Sequence, residues 1–166
     1  MVKAKYIIIA GTILVAAIAA FIIFTHSEEA KVKKQLKFLA YKMKKTPGEI
    51  TLTSAAKANR IRDLFTDICA IHAPAYSFSK EISSQDLPVL VMATRSLYSK
   101  ISLKFHDFVI DFPEKDRADV NLTAHMTGKR KNGEYSDGIH ELRCKLKKVE
   151  DTWLLKEIEM VEVLKK

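Results

Sequence analysis

Few residues in this chain combine a reactive side chain with a position that could aim it. His140 stands first. It shares strand parity with Leu142 and Cys144, so an imidazole able to titrate near neutral pH faces whatever those residues enclose. A lone histidine at the rim of a core strand is also an ordinary structural residue, and its neighbours Glu141 and Arg143 fall on the opposite parity. His72 precedes Ala73-Pro74, at the expected end of a helix, where the dipole favours a cation and that alone accounts for it. Cys69 and Cys144 have neither metal-ligand spacing nor a C-x-x-C redox pair. Both fall on or beside apolar faces, which predicts two buried free thiols, with one disulfide as the alternative in an oxidising compartment. No metal and no cofactor is expected. Asn121-Leu122-Thr123 spells a glycosylation acceptor, but it lies inside a predicted strand.

The elements that must position these residues lie in the last third, 102–163, where apolar and polar residues alternate through four runs broken by turn chemistry. From Arg117 to Thr127, Ala118, Val120, Leu122, Ala124 and Met126 fall on one face and Asp119, Asn121, Thr123 and His125 on the other. That pattern predicts a half-buried strand. Before it, Leu103 and Phe105 alternate, then Phe108, Ile110 and Phe112 take the other parity, which predicts a bulge near His106-Asp107. Gly128 to Gly133 reads as a basic hairpin loop with an Asn-Gly signal. The last strand opens at Trp153 and shifts parity after Leu155.

Upstream, three helices are expected. Ser27 reads as an N-cap for a helix carrying Val32, Leu36, Leu39, Ala40 and Met43, ended by Thr46-Pro47-Gly48. A second begins after a Ser54 cap and carries Ile61, Leu64, Phe65, Ile68 and Ile71 until Ala73-Pro74. Ala75 to Phe78 reads as a short extended piece. A third begins near Ser83 to Asp86, with Pro88 tolerated in its first turn and a stripe of Leu87, Leu90, Val91, Leu97 and Tyr98.

Tyr6 to Phe24 carries no charge, and at 1.5 Å per residue a helix of that length crosses roughly the hydrocarbon thickness of a bilayer. Because Phe21-Ile22-Ile23-Phe24 continues the apolar run past the small residues Ala17-Ile18-Ala19, an uncleaved anchor is preferred to a signal peptide. The expected organisation is a short cytoplasmic N-terminus at 1–5, a transmembrane anchor at 6–24, a linker at 25–27 and one folded domain at 28–166. A large domain following such an anchor is expected outside the cytoplasm, at a bacterial inner membrane. The net charge is +8, and beyond the apolar run 26 basic residues face 20 acidic ones. Much of the excess lies in the lysines of 31–45, among them Lys33, Lys34 and Lys37, and in Lys129, Arg130 and Lys131. No exposed aromatics interleave with these patches, so no nucleic acid is expected, and solvated faces are the plainest account.

Helices followed by a long, bent antiparallel sheet define an α+β arrangement. The bulged strand ending in Asp111-Phe112-Pro113, the alternation from Ala118 to Met126, and Leu142-x-Cys144-x-Leu146 leading to Trp153-Leu154-Leu155 resemble the nuclear transport factor 2-like superfamily, with the SnoaL-like bacterial branch closest. The resemblance covers nearly everything after the anchor, although no invariant catalytic string defines the group. It implies a cone-shaped domain of three helices packed on a strongly bent antiparallel sheet, with a pocket at the open end. Members include isomerases, cyclases, dehydratases and domains without activity. An isomerase site of the ketosteroid type needs an Asp base with a Tyr and a protonated acid; Asp107, Tyr41 and Tyr98 are not tied together by spacing. Dehydratase relatives use a His with an Asp, and His140 lacks such a neighbour. Tyr76 falls where relatives line their pocket, so Tyr76, Met126 and His140 are the pocket candidates, with no catalytic set among them.

Three functions remain. The first is a membrane-tethered, non-catalytic module that binds a small apolar ligand or assembles with a protein partner, a second copy included, through the outer sheet face. The second is a pocket enzyme of isomerase, dehydratase or cyclase type. The third is an electrostatic adaptor to anionic lipid or polymer.

Overall fold

The structure is a computed structural model that describes residues 2–161, with side chains described at 13–20, 22, 23 and from 27 onward. Two compact units divide the chain, 1–32 and 33–166. Helix α1, Val2–Met43, is continuous through Ser27, which therefore caps nothing. In the first unit Glu28 is buried and holds Lys31 at 3.0 Å, one turn along the helix. Among the described residues no helix is long and apolar enough to cross a membrane, and the expected anchor at 6–24 includes residues whose side chains lie outside that description.

In the second unit the spacing read from the sequence places Leu36, Leu39 and Ala40 in the core. α2 runs Thr51–Arg62 and α3 runs Leu87–Leu97, the latter with Pro88 in its first turn as expected. Among the described residues six strands form one sheet: β1 Phe65–Ala73, β2 Phe78–Ser83, β3 Tyr98–Glu114, β4 Arg117–Arg130, β5 Tyr135–Val149 and β6 Thr152–Val161, in the order β2-β1-β6-β5-β4-β3. Neighbours are antiparallel except β1 and β6, which run parallel, so the sheet is mixed rather than wholly antiparallel.

The helix expected from Ser54 to Ala73 is corrected on both sides. It begins at Thr51, and it ends at Arg62, after which Phe65, Ile68 and Ile71 are extended in β1. His72 therefore ends no helix; its Nδ1 lies 2.8 Å from the Ser79 hydroxyl across the β1–β2 pair. The piece at 75–78 is a tight helical turn, Pro74–Tyr76, closed by Ser77 at φ 51°, and it leads into β2. On α3 the buried residues are Leu87, Val91 and Arg95, while Leu90 and Leu97 are exposed.

The strand block follows the sequence pattern closely. Ala118, Val120, Leu122 and Ala124 are buried, and Leu146, Leu155 and Trp153 complete the same core. Phe112 packs on the Trp153 indole with ring centroids 5.7 Å apart. The β3–β4 register slips between His106 and Val109, with Asp107 at φ 53°, and the β5–β6 register slips at Lys145/Leu146, opposite Leu155/Glu157. These are the two places where the parity of the sequence changed, and each bends the sheet. Both cysteines are buried free thiols.

Candidate functional site

A cavity of about 830 Å³ opens over the ends of β4, β5 and β6 and the helical turn before β2. Tyr76, Met126 and His140, far apart in the chain, all line it. His140 lies opposite Ala124 on the buried parity of the sheet, and Met126 opposite Gly138. The Tyr76 ring meets the His140 imidazole edge to face, with centroids 6.4 Å apart and planes at 66°.

Two strand glycines make this arrangement fit. A Cβ at Gly138 would stand 3.0 Å from His140 Nε2, and a Cβ at Gly128 would stand 2.8 Å from the Tyr98 ring. A side chain at either position would push an aromatic group out of its place beside the cavity. Tyr98, Ser136, Ile139 and Met160 also line the space. The signal that could have found them is the pair of glycines inside strands, since register sets Gly128 against Ser136 and Gly138 against Met126.

Among the described residues, the acids nearby do not converge on His140. Asp137 and Glu141 also border the cavity, but from the opposite strand parity, and Asp137 Oδ1 holds His125 Nε2 at 2.8 Å. Asp107 sits at the β3 bulge and lines a separate, smaller hollow. Tyr41 is exposed on α1. The lining therefore mixes apolar side chains with an imidazole, phenols, hydroxyls and two carboxylates, an arrangement suited to holding and orienting a molecule.

The densest polar cluster lies elsewhere and was not singled out from sequence. Arg95, 1% exposed, donates to the carbonyls of Lys42, Met43 and Lys44 at the end of α1, and its other nitrogen pairs with Glu49. A guanidinium is suited to this because its fixed fork of donors can serve a helix C-terminus and a carboxylate at once. Glu49 also accepts from Ser54 Oγ and Lys57 Nζ, each at 2.6 Å. Burial pushes the Glu49 carboxyl up, but the hydrogen bonds from Lys57, Ser54 and Arg95 overcome it and hold the group down at about 2. Lys45 donates to the carbonyls of Arg95 and Tyr98 at 2.7 and 2.8 Å.

Of the basic surface residues, Lys34 and Lys37 are exposed on α1 and Lys33 is half-buried. Lys129 stands over the Tyr135 ring and Arg130 over the Tyr98 ring, at 5.2 and 5.8 Å from their centroids. Lys131 comes near Lys45, so the two basic segments meet at one point. A hollow of about 430 Å³ on the outer parity of the sheet is bordered by Arg143 and Lys145, whose charges are matched by Glu159 and Glu157.

The second unit is a helix-covered, curled six-stranded sheet with a pocket, a fold in keeping with the one that the sequence resemblance implies. Solved structures share it at low sequence identity. A presumed scytalone dehydratase from Novosphingobium aromaticivorans matches with TM-score 0.68 and 16% identity, over 84% of this chain and 87% of that one. A presumed aromatic ring hydroxylase from the same organism matches with TM-score 0.67 and 11% identity, over 82% and 89%. A presumed calcium/calmodulin-dependent protein kinase II association domain from Xanthomonas campestris matches with TM-score 0.59 and 12% identity, over 84% and 88%. In sequence, no family model and no curated protein matches the chain. These likenesses establish the fold; they span presumed enzymes and a presumed association domain alike.

Proposed function

We propose that this chain is a tethered binding module, in which the cavity bordered by Tyr76, Met126 and His140 holds a small, largely apolar molecule outside the cytoplasm. The observation that carries the reading is the cavity itself: about 830 Å³, with Met126 and Met160 in its apolar lining and Tyr76, Tyr98, Ser136 and His140 as groups able to hydrogen-bond. Non-catalytic binding is preferred because, among the described residues, no acid of β4 or β5 shares the strand parity of His140. The apolar run Tyr6 to Phe24 supports the tether, with the folded domain on the far side of the membrane.

The test is a titration of the full chain in mild detergent with a neutral solvatochromic dye, Nile red. Saturable binding that is lost in Met126→Trp, with the fold retained by circular dichroism, supports the reading; dye binding that the filled cavity leaves unchanged overturns it. For the tether, a reporter fused after Lys166 that is active only outside the cytoplasm is the expected result.

Acid or base chemistry is the second reading, favoured by the Tyr76–His140 ring contact at the cavity rim and by the fold shared with a presumed dehydratase. Turnover of a small enolisable or hydroxylated substrate that His140→Gln abolishes, while dye affinity is kept, would select it.

A further inference from the structure

We propose that a second cavity, enclosed by the end of α1, the start of α2 and the end of α3, is a binding site for a phosphate group. It measures about 350 Å³ and is bordered by Lys45, Gly48, Thr51, Arg95, Ser99 and Lys131.

Charge is the first argument. Lys45, Arg95 and Lys131 surround the space together with one carboxylate, Glu49, and that carboxylate is already held by Arg95, Lys57 and Ser54. The cationic charge is therefore in excess where the cavity lies. Lys45 is crowded: burial first, then the charges of Lys131 and Arg95, lower its pKa. A bound anion would relieve that repulsion.

The backbone supplies the second. α2 is a helix of 12 residues whose first residue, Thr51, borders the cavity, and Ile50 at the cap position provides no side-chain hydrogen bond. The first N–H groups of such a helix have no partner within it and carry the positive end of its dipole, a setting that favours phosphate oxygens. Just before it, Gly48 at φ 78° turns the chain through open space, with nothing within 4 Å of where a Cβ would stand.

An unpartnered donor is the third. Arg95 is 1% exposed and spends both terminal nitrogens on α1 carbonyls and Glu49, yet its Nε–H is buried without a partner. Buried donors are nearly always hydrogen-bonded, and this orphan belongs to a residue that borders the cavity. Lys45 likewise uses two of its three N–H groups on carbonyls, leaving one for a ligand. Donors from lysine, arginine, hydroxyl and helix N–H groups converging from several sides suit a tetrahedral oxyanion better than a planar carboxylate.

The test uses the full chain in mild detergent, with inorganic phosphate and short-chain dihexanoyl phosphatidic acid as probes against chloride of equal ionic strength. Either probe should raise the melting temperature saturably while chloride does not. Lys131→Glu, at an exposed position, should weaken the binding by about tenfold or more, the worth of one charge-assisted contact, and Lys80→Glu on the exposed β2 surface should leave it unchanged. Response to inorganic phosphate identifies a soluble phosphate as the ligand, and response to the lipid alone identifies a headgroup. No saturable response to either, or equal loss in the two variants, overturns the site.

Discussion

Tyr76, from the turn between β1 and β2, and His140, from β5, meet edge to face over the mouth of the larger cavity. Tyr76 is 65% exposed, and the imidazole gives its ring a packing partner. Tyr76→Ala and His140→Ala should each weaken Nile red binding, and the double variant should lose less than the two losses added. A coupling of about 0.5–1.5 kcal/mol is expected for an aromatic pair of this kind. Strict additivity in the dye titrations would show that the rings act independently.

The Glu49 carboxyl makes the acid limb of stability predictable. Its pKa is about 2 in the folded chain against an ordinary value of 4.5, so the stabilisation is complete above the ordinary value and is lost as pH falls toward 2. Glu49→Gln should flatten that limb in urea unfolding followed between those pH values. At neutral pH the same variant leaves Arg95 buried without its counter-charge, and a loss of about 3–5 kcal/mol is expected.

Both thiols should be silent until the chain unfolds. Burial pushes Cys69 and Cys144 up to about 12, Glu157 adding to the effect at Cys69 and Cys69 adding to it at Cys144. A thiol reagent at mildly alkaline pH should therefore label the native chain only at the rate of unfolding. The sign of the linkage is opposite to that of Glu49. Unfolded thiols ionise first, so stability should fall as pH rises above 9, the ordinary thiol value, and Cys144→Ala should reduce that fall.

Two backbone positions separate strain from contact. Asp107 is held at φ 53°, so Asp107→Gly should be neutral or stabilising by up to about 1 kcal/mol, and Asp107→Val destabilising by about 1–2 kcal/mol. Gly128→Ala has no such backbone penalty but drives a methyl into the Tyr98 ring, at a cost of about 1–3 kcal/mol. Thermal unfolding checks both, and Tyr98→Ala should rescue Gly128→Ala while leaving Asp107→Val unchanged.

Why β1 escaped detection is instructive. A regular half-buried strand buries alternate residues, but β1 buries Phe65 and Cys69, four apart, because its register against β6 slips between Phe65 and Ala70. The slip imitates the spacing of a helix, and Ile61, Leu64 and Phe65 join the pattern smoothly across the true boundary. The bulges in β3 and β6 were legible for the opposite reason: in each strand the apolar residues change parity from one side of the slip to the other. Tyr76, Met126 and His140 could be placed near one another by parity and by resemblance. Arg95 could not, because its burial runs against the usual rule for charged residues. The clue was its spacing from Leu87 and Val91, which sets it on the buried side of α3. Its partner Glu49 lies in a loop, where spacing carries no such information.

The parallel pairing of β1 with β6 also sets an order of events. β6 stands between β1 and β5, so the strand made last of the six fills the middle of the sheet. Until it arrives, the β1–β2 hairpin and the β3–β4–β5 meander have no shared edge, and each exposes unpaired backbone to other chains. Synthesis must run past Trp153 and Leu155 before the halves can join, so a nascent chain emerging slowly needs protection over most of its length.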